Sequence, residues 1–302
     1  MLYRLLLKVL TSSSNGSIYK YAPLVNYFFC KLCRFSPRKL PLPLFPKPLM
    51  GLSFANPVGL AAGFDRNGKL LPYSEMIGCG FIEIGTINVD ATKESDNEVM
   101  TAIQNLNKAA KYDQSSNRQQ RWGINLGSLR NTLDEQTAAD YNKGMDLFWH
   151  HADYLVINLS RPESDARSLD PDMNSLDTFL TNIKHHHSTL TSYHGHVPMV
   201  AKIAVDHVHN EHIIAILLLL RDHGFDGVIL AFENWPDMKP MSEYLCRLKT
   251  ETDCFPLIVV GGIRSTEDIQ QLMAAGASLV QIYTSLAQQG PLQTRKMISR
   301  LE

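Results

Sequence analysis

The chain has 302 residues, which is enough for one large domain with a substantial core. Its hydrophobic content of 44% is ordinary for a globular protein, and a formal net charge of -1 gives no reason to expect a nucleic-acid partner. Five cysteines without paired spacing argue against a disulfide framework and indicate a reducing compartment.

The amino-terminal segment differs from the rest of the chain in charge, because no Asp or Glu precedes Asp65 while basic residues recur throughout it. Apolar residues at helical spacing from Tyr21 to Phe35 predict a helix, which either lies in a membrane interface or caps the remainder of the protein. Its pair Cys30 and Cys33 lacks the second pair that a zinc site needs, so we expect no metal. Four prolines make the stretch from Leu40 to Leu49 an extended connector. We therefore predict a membrane-associating extension over residues 1–48 and one further unit over residues 49–302.

From Gly51 onward, buried strands alternate with polar or helical sequence. The predicted strands are Asn56 to Gly63, Phe81 to Thr86, Trp122 to Gly127, Tyr154 to Ser160, Pro198 to Ala204, Gly227 to Ala231, Pro256 to Gly261 and Leu279 to Tyr283. Helical patterns separate most of them, for example Thr137 to His151, Leu176 to Tyr193, His212 to His223 and Met241 to Thr252. This alternation predicts an α/β fold, a TIM (β/α)8 barrel with a short amino-terminal helical extension. The polar spacer from Val89 to Arg121 predicts a long loop or lid.

The last two strands end in residues that suit a phosphate. Gly261 and Gly262 bring backbone amides close to a ligand, and Tyr283 and Thr284 follow the neighbouring strand. Ser265 predicts the amino-terminal cap of the intervening helix. Because the carboxyl ends of parallel strands meet at one face of a barrel, we expect these residues to line one site.

The other strand ends carry a consistent set of small and polar residues: Ala62, Gly63, Thr86, Asn125, Asn158 and Lys202. Two inward asparagines and a lysine beneath a phosphate site suit a planar heteroaromatic ligand such as flavin mononucleotide (FMN). A buried lysine would stabilise the negative charge of the reduced ring. Two alternatives are a Schiff-base lysine of an aldolase-type barrel and a structural ion pair.

Several motifs resemble the quinone-linked, membrane-associated class of dihydroorotate dehydrogenases. They are MGLSFANPVGLAAGFDRNG at 50–68, FIEIGT at 81–86, GINLG at 123–127, VINLSRP at 156–162, VAKIAVD at 200–206, PLIVVGGI at 256–263 and GASLVQIYTSLAQQGP at 276–291. The resemblance implies an enzyme of pyrimidine biosynthesis that oxidises dihydroorotate to orotate and passes electrons through FMN to quinone. It also implies peripheral attachment to a membrane, on the cytoplasmic side of the inner membrane in a bacterium.

Carried over by position, the strand-end residues named above, together with Gly262, Tyr283 and Thr284, would contact FMN. The resemblance assigns the substrate to Arg66, Asn158 and Glu163, and it places Arg161 at the position of the serine base of the family. Arginine keeps its proton and has no lone pair to offer, so it cannot serve as that base. Glu163 and Phe232 replace two asparagines of the family that bind orotate, and Arg66 replaces a lysine. These departures favour two alternatives, a paralogue that acts on another small substrate and a flavin-binding barrel without catalysis.

Overall fold

The computed structural model describes residues 3, 18–33, 42–94, 96–113, 118–160, 172–207, 212–235, 237–253 and 255–301. Two residues singled out in the sequence, Arg161 and Glu163, lie outside these ranges. In the described ranges, no helix is long and apolar enough to cross a membrane.

Eight parallel strands form a closed barrel, which confirms the predicted TIM barrel. They are β3 (Val58–Asp65), β4 (Phe81–Asn88), β5 (Arg121–Gly127), β6 (Tyr154–Asn158), β7 (Met199–Asp206), β8 (Gly227–Glu233), β9 (Leu257–Val260) and β10 (Leu279–Ile282). They follow one another in chain order around the barrel, and β10 closes on β3 through the pair Val280 and Val58. Each strand lies within about two residues of its predicted position, because most of its residues are apolar and buried.

Helices surround the barrel. They are α2 (Asn97–Asp113), α3 (Glu135–Phe148), α4 (Met173–His194), α5 (Ile213–Asp222), α6 (Met238–Glu251), α7 (Thr266–Ala274), α8 (Thr284–Gln289) and α9 (Pro291–Ile298), with a 3-10 helix at Leu71–Ile77. Ser265 caps α7 as predicted, since its side chain accepts a hydrogen bond from the backbone N–H of Asp268 in a complete capping box.

The predicted loop or lid between Val89 and Arg121 is wrong, because α2 occupies most of it. Its inward face is formed by Val99, Ala102, Leu106 and Ala109, all of which are buried. Their spacing is helical, but the many polar residues between them conceal the pattern. The spacer therefore supplies a helix of the barrel wall.

The amino-terminal helix α1 (Ile18–Cys33) packs against α8 and the 3-10 helix. Ala22, Val25 and Cys30 are buried in this contact, and the amide of Asn26 donates to the hydroxyl of Tyr3 at 2.7 Å. The Tyr3 hydroxyl in turn donates to the carbonyl oxygen of Ala287 at 2.9 Å. One face of α1 is thus a cap on the barrel, which is one of the two predicted alternatives.

The amino-terminal end of the barrel is closed by a hairpin of β1 (Lys47–Leu49) and β2 (Leu52–Phe54). Phe54 packs edge-to-face on Phe81 and Tyr154, which point into the barrel from β4 and β6. The predicted extended connector therefore ends in a strand. Because aromatic rings fill this end of the barrel, only the opposite end is open to a ligand.

Candidate active site

The predicted phosphate residues lie together at the carboxyl ends of β9 and β10. Gly261 and Gly262 have φ values of 127° and 69°, which favour glycine. A Cβ atom on Gly261 would lie 2.5 Å from the carbonyl oxygen of Phe232, so no side chain fits there. Tyr283 precedes α8 and packs its ring on Phe64 at the end of β3, with 5.4 Å between the ring centroids. Gly261 is half-buried and Gly262 is exposed at the barrel mouth.

Asn158 lies at the centre of a short chain of hydrogen bonds at the end of β6. Its amide nitrogen donates to the hydroxyl of Thr86 at 2.9 Å. Its amide oxygen accepts from the hydroxyl of Ser160 at 2.5 Å and from the Ser160 backbone N–H at 3.1 Å. All three side chains line one cavity of about 170 Å³, which we call the strand-end cavity. The structure therefore brings Ser160 to the same side as Asn158.

Two arginines also line the strand-end cavity, and they differ in their contacts. Arg130 donates to the carboxylate of Asp140 at 3.0 Å, and that carboxylate also accepts from Ser128 at 2.5 Å. Arg66 is exposed and has no hydrogen bond or ion pair with another described residue. The guanidinium of Arg66 is thus the charge in this cavity that remains open to an anionic ligand.

Arg66 also lines a second cavity, of about 290 Å³, which we call the helix-side cavity. This cavity lies between α1, which contributes Lys20, Pro23, Leu24 and Tyr27, and the chain from Gly63 to Leu70. Tyr27 packs edge-to-face on Tyr73 and lies below the ammonium of Lys69, which is 4.9 Å from the ring centroid. Predominantly apolar side chains and a planar ring form one wall of this space.

Lys202 and the amide oxygens of Asn125 and Gln281 lie inside the barrel without a hydrogen-bond partner among the described residues. Lys202 on β7 makes no hydrogen bond or ion pair with any residue in the described ranges. The amide oxygen of Asn125 on β5 is buried and has no hydrogen-bond partner there either. Burial lowers the pKa of Lys202, whereas the carboxylates of Glu83 and Glu233 raise it. An unpaired donor and an unpaired acceptor on neighbouring sides of the barrel suit a ligand that offers both kinds of group.

The carboxylate below these two groups, Glu83, was not predicted as a site residue. It is fully buried on β4 and accepts hydrogen bonds from Tyr154 at 3.2 Å, from Asn125 at 3.4 Å and from Gln281. A glutamate between isoleucines in a buried strand was the available signal, because buried acids require partners. The other predicted residues, Ala62, Gly63 and Thr284, lie at the ends of β3 and β10 as expected.

Metal ligands do not gather in the part of the chain that the structure describes, where no group of three or more His, Cys, Asp or Glu side chains could hold an ion. The three adjacent histidines of α4 diverge instead. His186 contacts Asp146 at 2.8 Å, and His187 is buried against Trp149.

Comparison with known proteins gives the family. The family model for dihydroorotate dehydrogenase matches residues 46–234 and 236–302. The dihydroorotate dehydrogenase (quinone) of Idiomarina loihiensis is 33% identical over 291 residues, with 85% of this chain and 87% of the relative covered. That of Thiobacillus denitrificans is 33% identical over 293 residues, with 85% and 86% covered.

Solved structures agree in fold. The dihydroorotate dehydrogenase of Eimeria tenella in complex with ferulenol superposes with a TM-score of 0.75 at 22% identity, and covers 93% of this chain and 92% of its own. The ligand-free form of the Eimeria tenella protein gives a TM-score of 0.71 at 21% identity, with 92% and 93% covered. The closed barrel, the polar strand ends and the extent of these matches together show that the chain belongs to the dihydroorotate dehydrogenase family.

Proposed function

We propose that this protein oxidises dihydroorotate to orotate, with FMN as its cofactor and a quinone as electron acceptor. The observation that carries the proposal is a pair of groups inside the barrel that have no hydrogen-bond partner among the described residues, Lys202 and the amide oxygen of Asn125. Its wider support is the relatives, whose names specify both the reaction and the quinone.

The residues present fit FMN in charge and hydrogen bonding. The flavin ring has an N–H group that suits the Asn125 oxygen, and ring acceptors that suit the ammonium of Lys202. Gly261, Gly262 and Thr284 offer backbone amides and a hydroxyl to the phosphate. We assign the ring environment to Ala62, Gly63, Thr86 and Asn158 as well.

The substrate loses a proton and a hydride from adjacent carbons. FMN, when bound, accepts the hydride. Arg66, whose guanidinium has no partner among the described residues, can bind the carboxylate of dihydroorotate, and Asn158 can hydrogen-bond the ring of the substrate. Ser160 is the hydroxyl that we propose as the proton acceptor, oriented by its hydrogen bond to Asn158. It must release its own proton to solvent water as it takes one from the substrate, because a hydroxyl that keeps its hydrogen is not a base.

The helix-side cavity is the place that we propose for the quinone. Its wall on α1 includes the apolar side chains of Pro23 and Leu24 and the ring of Tyr27. The outer face of α1 exposes Leu24, Phe28 and Leu32, and basic residues flank it. We propose that this face lies in the membrane interface, from which a quinone would enter.

The test is formation of orotate from dihydroorotate by the purified full-length chain, followed by ultraviolet absorbance with a short-chain quinone as acceptor. We expect turnover that depends on both compounds, and Arg66→Ala should raise the KM for dihydroorotate because it removes the carboxylate partner. A flavin-loaded protein that makes no orotate would contradict this substrate and would favour a paralogue with a different one.

A further inference from the structure

Three side chains donate hydrogen bonds to the buried carboxyl group of Glu83. Glu83 accepts from the hydroxyl of Tyr154 on β6 and from the amide nitrogens of Asn125 on β5 and Gln281 on β10. The amide oxygens of Asn125 and Gln281 have no partner among the described residues. The hydroxyl of Tyr154 could accept from a protonated carboxyl group, but the amide nitrogens of Asn125 and Gln281 can only donate to Glu83. The arrangement is therefore that of a carboxylate.

A buried carboxylate requires a positive charge nearby. Lys202 and Glu83 both point into the barrel, because each lies two residues after an interior residue of its strand, Val200 on β7 and Phe81 on β4. Burial raises the pKa of Glu83, and the charge of Lys202 opposes this by favouring the ionised carboxylate. On the other side of the barrel, β9 contributes Ile258 and Val260 to the interior, and both are apolar. Glu83 thus has one cationic neighbour, and the two charges depend on each other.

The surroundings of Lys202 contain two carboxylates. Glu83 lies in the barrel interior with no exposed surface, and Glu233 lies half-buried at the end of β8. Asp206, further along β7, accepts a hydrogen bond from the amide of Asn234 at 2.9 Å. Because Glu83 is excluded from water, its field at Lys202 is less screened than that of Glu233.

We propose that Glu83 is a positioning residue that keeps Lys202 protonated beneath the flavin, so that the lysine carries its charge before and after flavin reduction. The inference rests on the proposed function, because the bound flavin is the group whose potential reports this charge. Glu83 itself would contact neither the flavin nor the substrate, and it would act through Lys202.

The proposal has a thermodynamic signature. A lysine that stays protonated takes up no proton when the flavin is reduced. A lysine that loses its buried counter-ion becomes neutral at alkaline pH and is protonated again when negative charge develops on the ring. One additional proton per two electrons lowers the midpoint potential by about 30 mV for each pH unit, because a tenfold change in equilibrium constant equals about 30 mV in a two-electron couple.

The experiment is a redox titration of the flavin absorbance from about pH 7 to about pH 9, below the ordinary pKa of lysine. We expect the midpoint potential of Glu83→Gln to fall more steeply with pH than that of the wild-type protein, because Lys202 then takes up a proton on reduction. The matched control, Glu243→Gln, removes an exposed carboxylate from α6 and should leave the slope unchanged. In Lys202→Met, the further change Glu83→Gln should have no effect on the slope.

If the midpoint potential of Glu83→Gln falls with pH as steeply as that of the wild-type protein, and the circular dichroism is unchanged, the proposal is overturned. The wild-type protein provides a test that needs no variant. Its midpoint potential should show no change of slope from protonation of Lys202 over this pH range. A change of slope in this range that Lys202→Met abolishes would also overturn the proposal. If the wild-type protein contains no flavin, both the proposed function and this inference are wrong. If flavin is bound and the midpoint potentials of wild-type and Glu83→Gln protein have the same pH dependence, only the inference is wrong.

Discussion

At the scale of single residues, the end of β6 determines whether the substrate site has a base. The resemblance to the family predicts that Arg161 occupies the position of the serine base, and the nearest hydroxyl in the sequence, Ser160, lies one residue earlier. Asn158 and Ser160 nevertheless lie on one side, because β6 ends at Asn158 and its side-chain oxygen accepts from the Ser160 backbone N–H, as in an Asx turn. The hydrogen bond between them fixes the Ser160 hydroxyl in the strand-end cavity.

Replacement of Ser160 by alanine tests this role. We expect Ser160→Ala to slow reduction of the flavin by dihydroorotate by about 10²- to 10⁴-fold, the usual loss for a general base. Anaerobic stopped-flow absorbance measures this rate. Ser192→Ala, which removes a hydroxyl bonded within α4, is the control. A rate for Ser160→Ala within about twofold of the wild-type rate would place the base elsewhere in the chain.

Residue types at strand ends were predictable, but their partners were not. Asn125, Asn158 and Lys202 could be identified because each interrupts an apolar strand near its carboxyl end. The strand order and register that bring Glu83 below Lys202 depend on barrel closure between β10 and β3, which are far apart in sequence. A single strand contains no information about a neighbour of this kind.

At the scale of secondary-structure elements, α1 has two faces with different roles. Ala22, Val25 and Cys30 are buried against the barrel, while Leu24, Phe28 and Leu32 have exposed fractions of 47%, 53% and 72%. The exposed residues recur every four positions and therefore form one stripe. Apolar residues at helical spacing predicted the helix, but only its packing shows which face remains exposed.

The exposed stripe gives a prediction about membranes. We expect the triple change Leu24→Ser, Phe28→Ser and Leu32→Ser to reduce binding to anionic phospholipid vesicles, because it removes the apolar area that would enter the interface. Cosedimentation with vesicles measures the bound fraction. Tyr193→Ser removes a side chain of 78% exposure on α4 and is the control. Equal binding of the triple variant and the full-length wild-type chain would contradict membrane contact through α1.

The spacer that forms α2 shows why one element was missed. Its inward residues are only alanines and single aliphatic side chains, so the apolar signal is weak beside many lysines and asparagines. Packing supplies the missing stabilisation, since Leu106 is fully buried and Asn105 donates to the carbonyl oxygen of Asn67 at 2.9 Å. Tertiary contacts outweigh intrinsic preference in a helix of this kind.

At the scale of the whole molecule, the packed aromatic residues and the polar residues that would bind ligands lie at opposite ends of the barrel. The hairpin and a cluster of aromatic rings close the amino-terminal end of the barrel, while the polar strand ends and both cavities lie at the other. Arg66 lines both cavities. A substrate at the strand ends and a quinone beside α1 would therefore both lie close to one flavin, which the proposed electron transfer requires.

An anaerobic visible absorption spectrum of the purified protein, taken before and after addition of dihydroorotate, tests the cofactor and the substrate together. We expect an oxidised flavin spectrum that bleaches on addition of the substrate, because the hydride passes to the bound FMN. A flavin spectrum that stays unchanged would contradict dihydroorotate as the substrate. A protein that contains no flavin would contradict the assignment of Lys202, Asn125 and the two glycines to a cofactor.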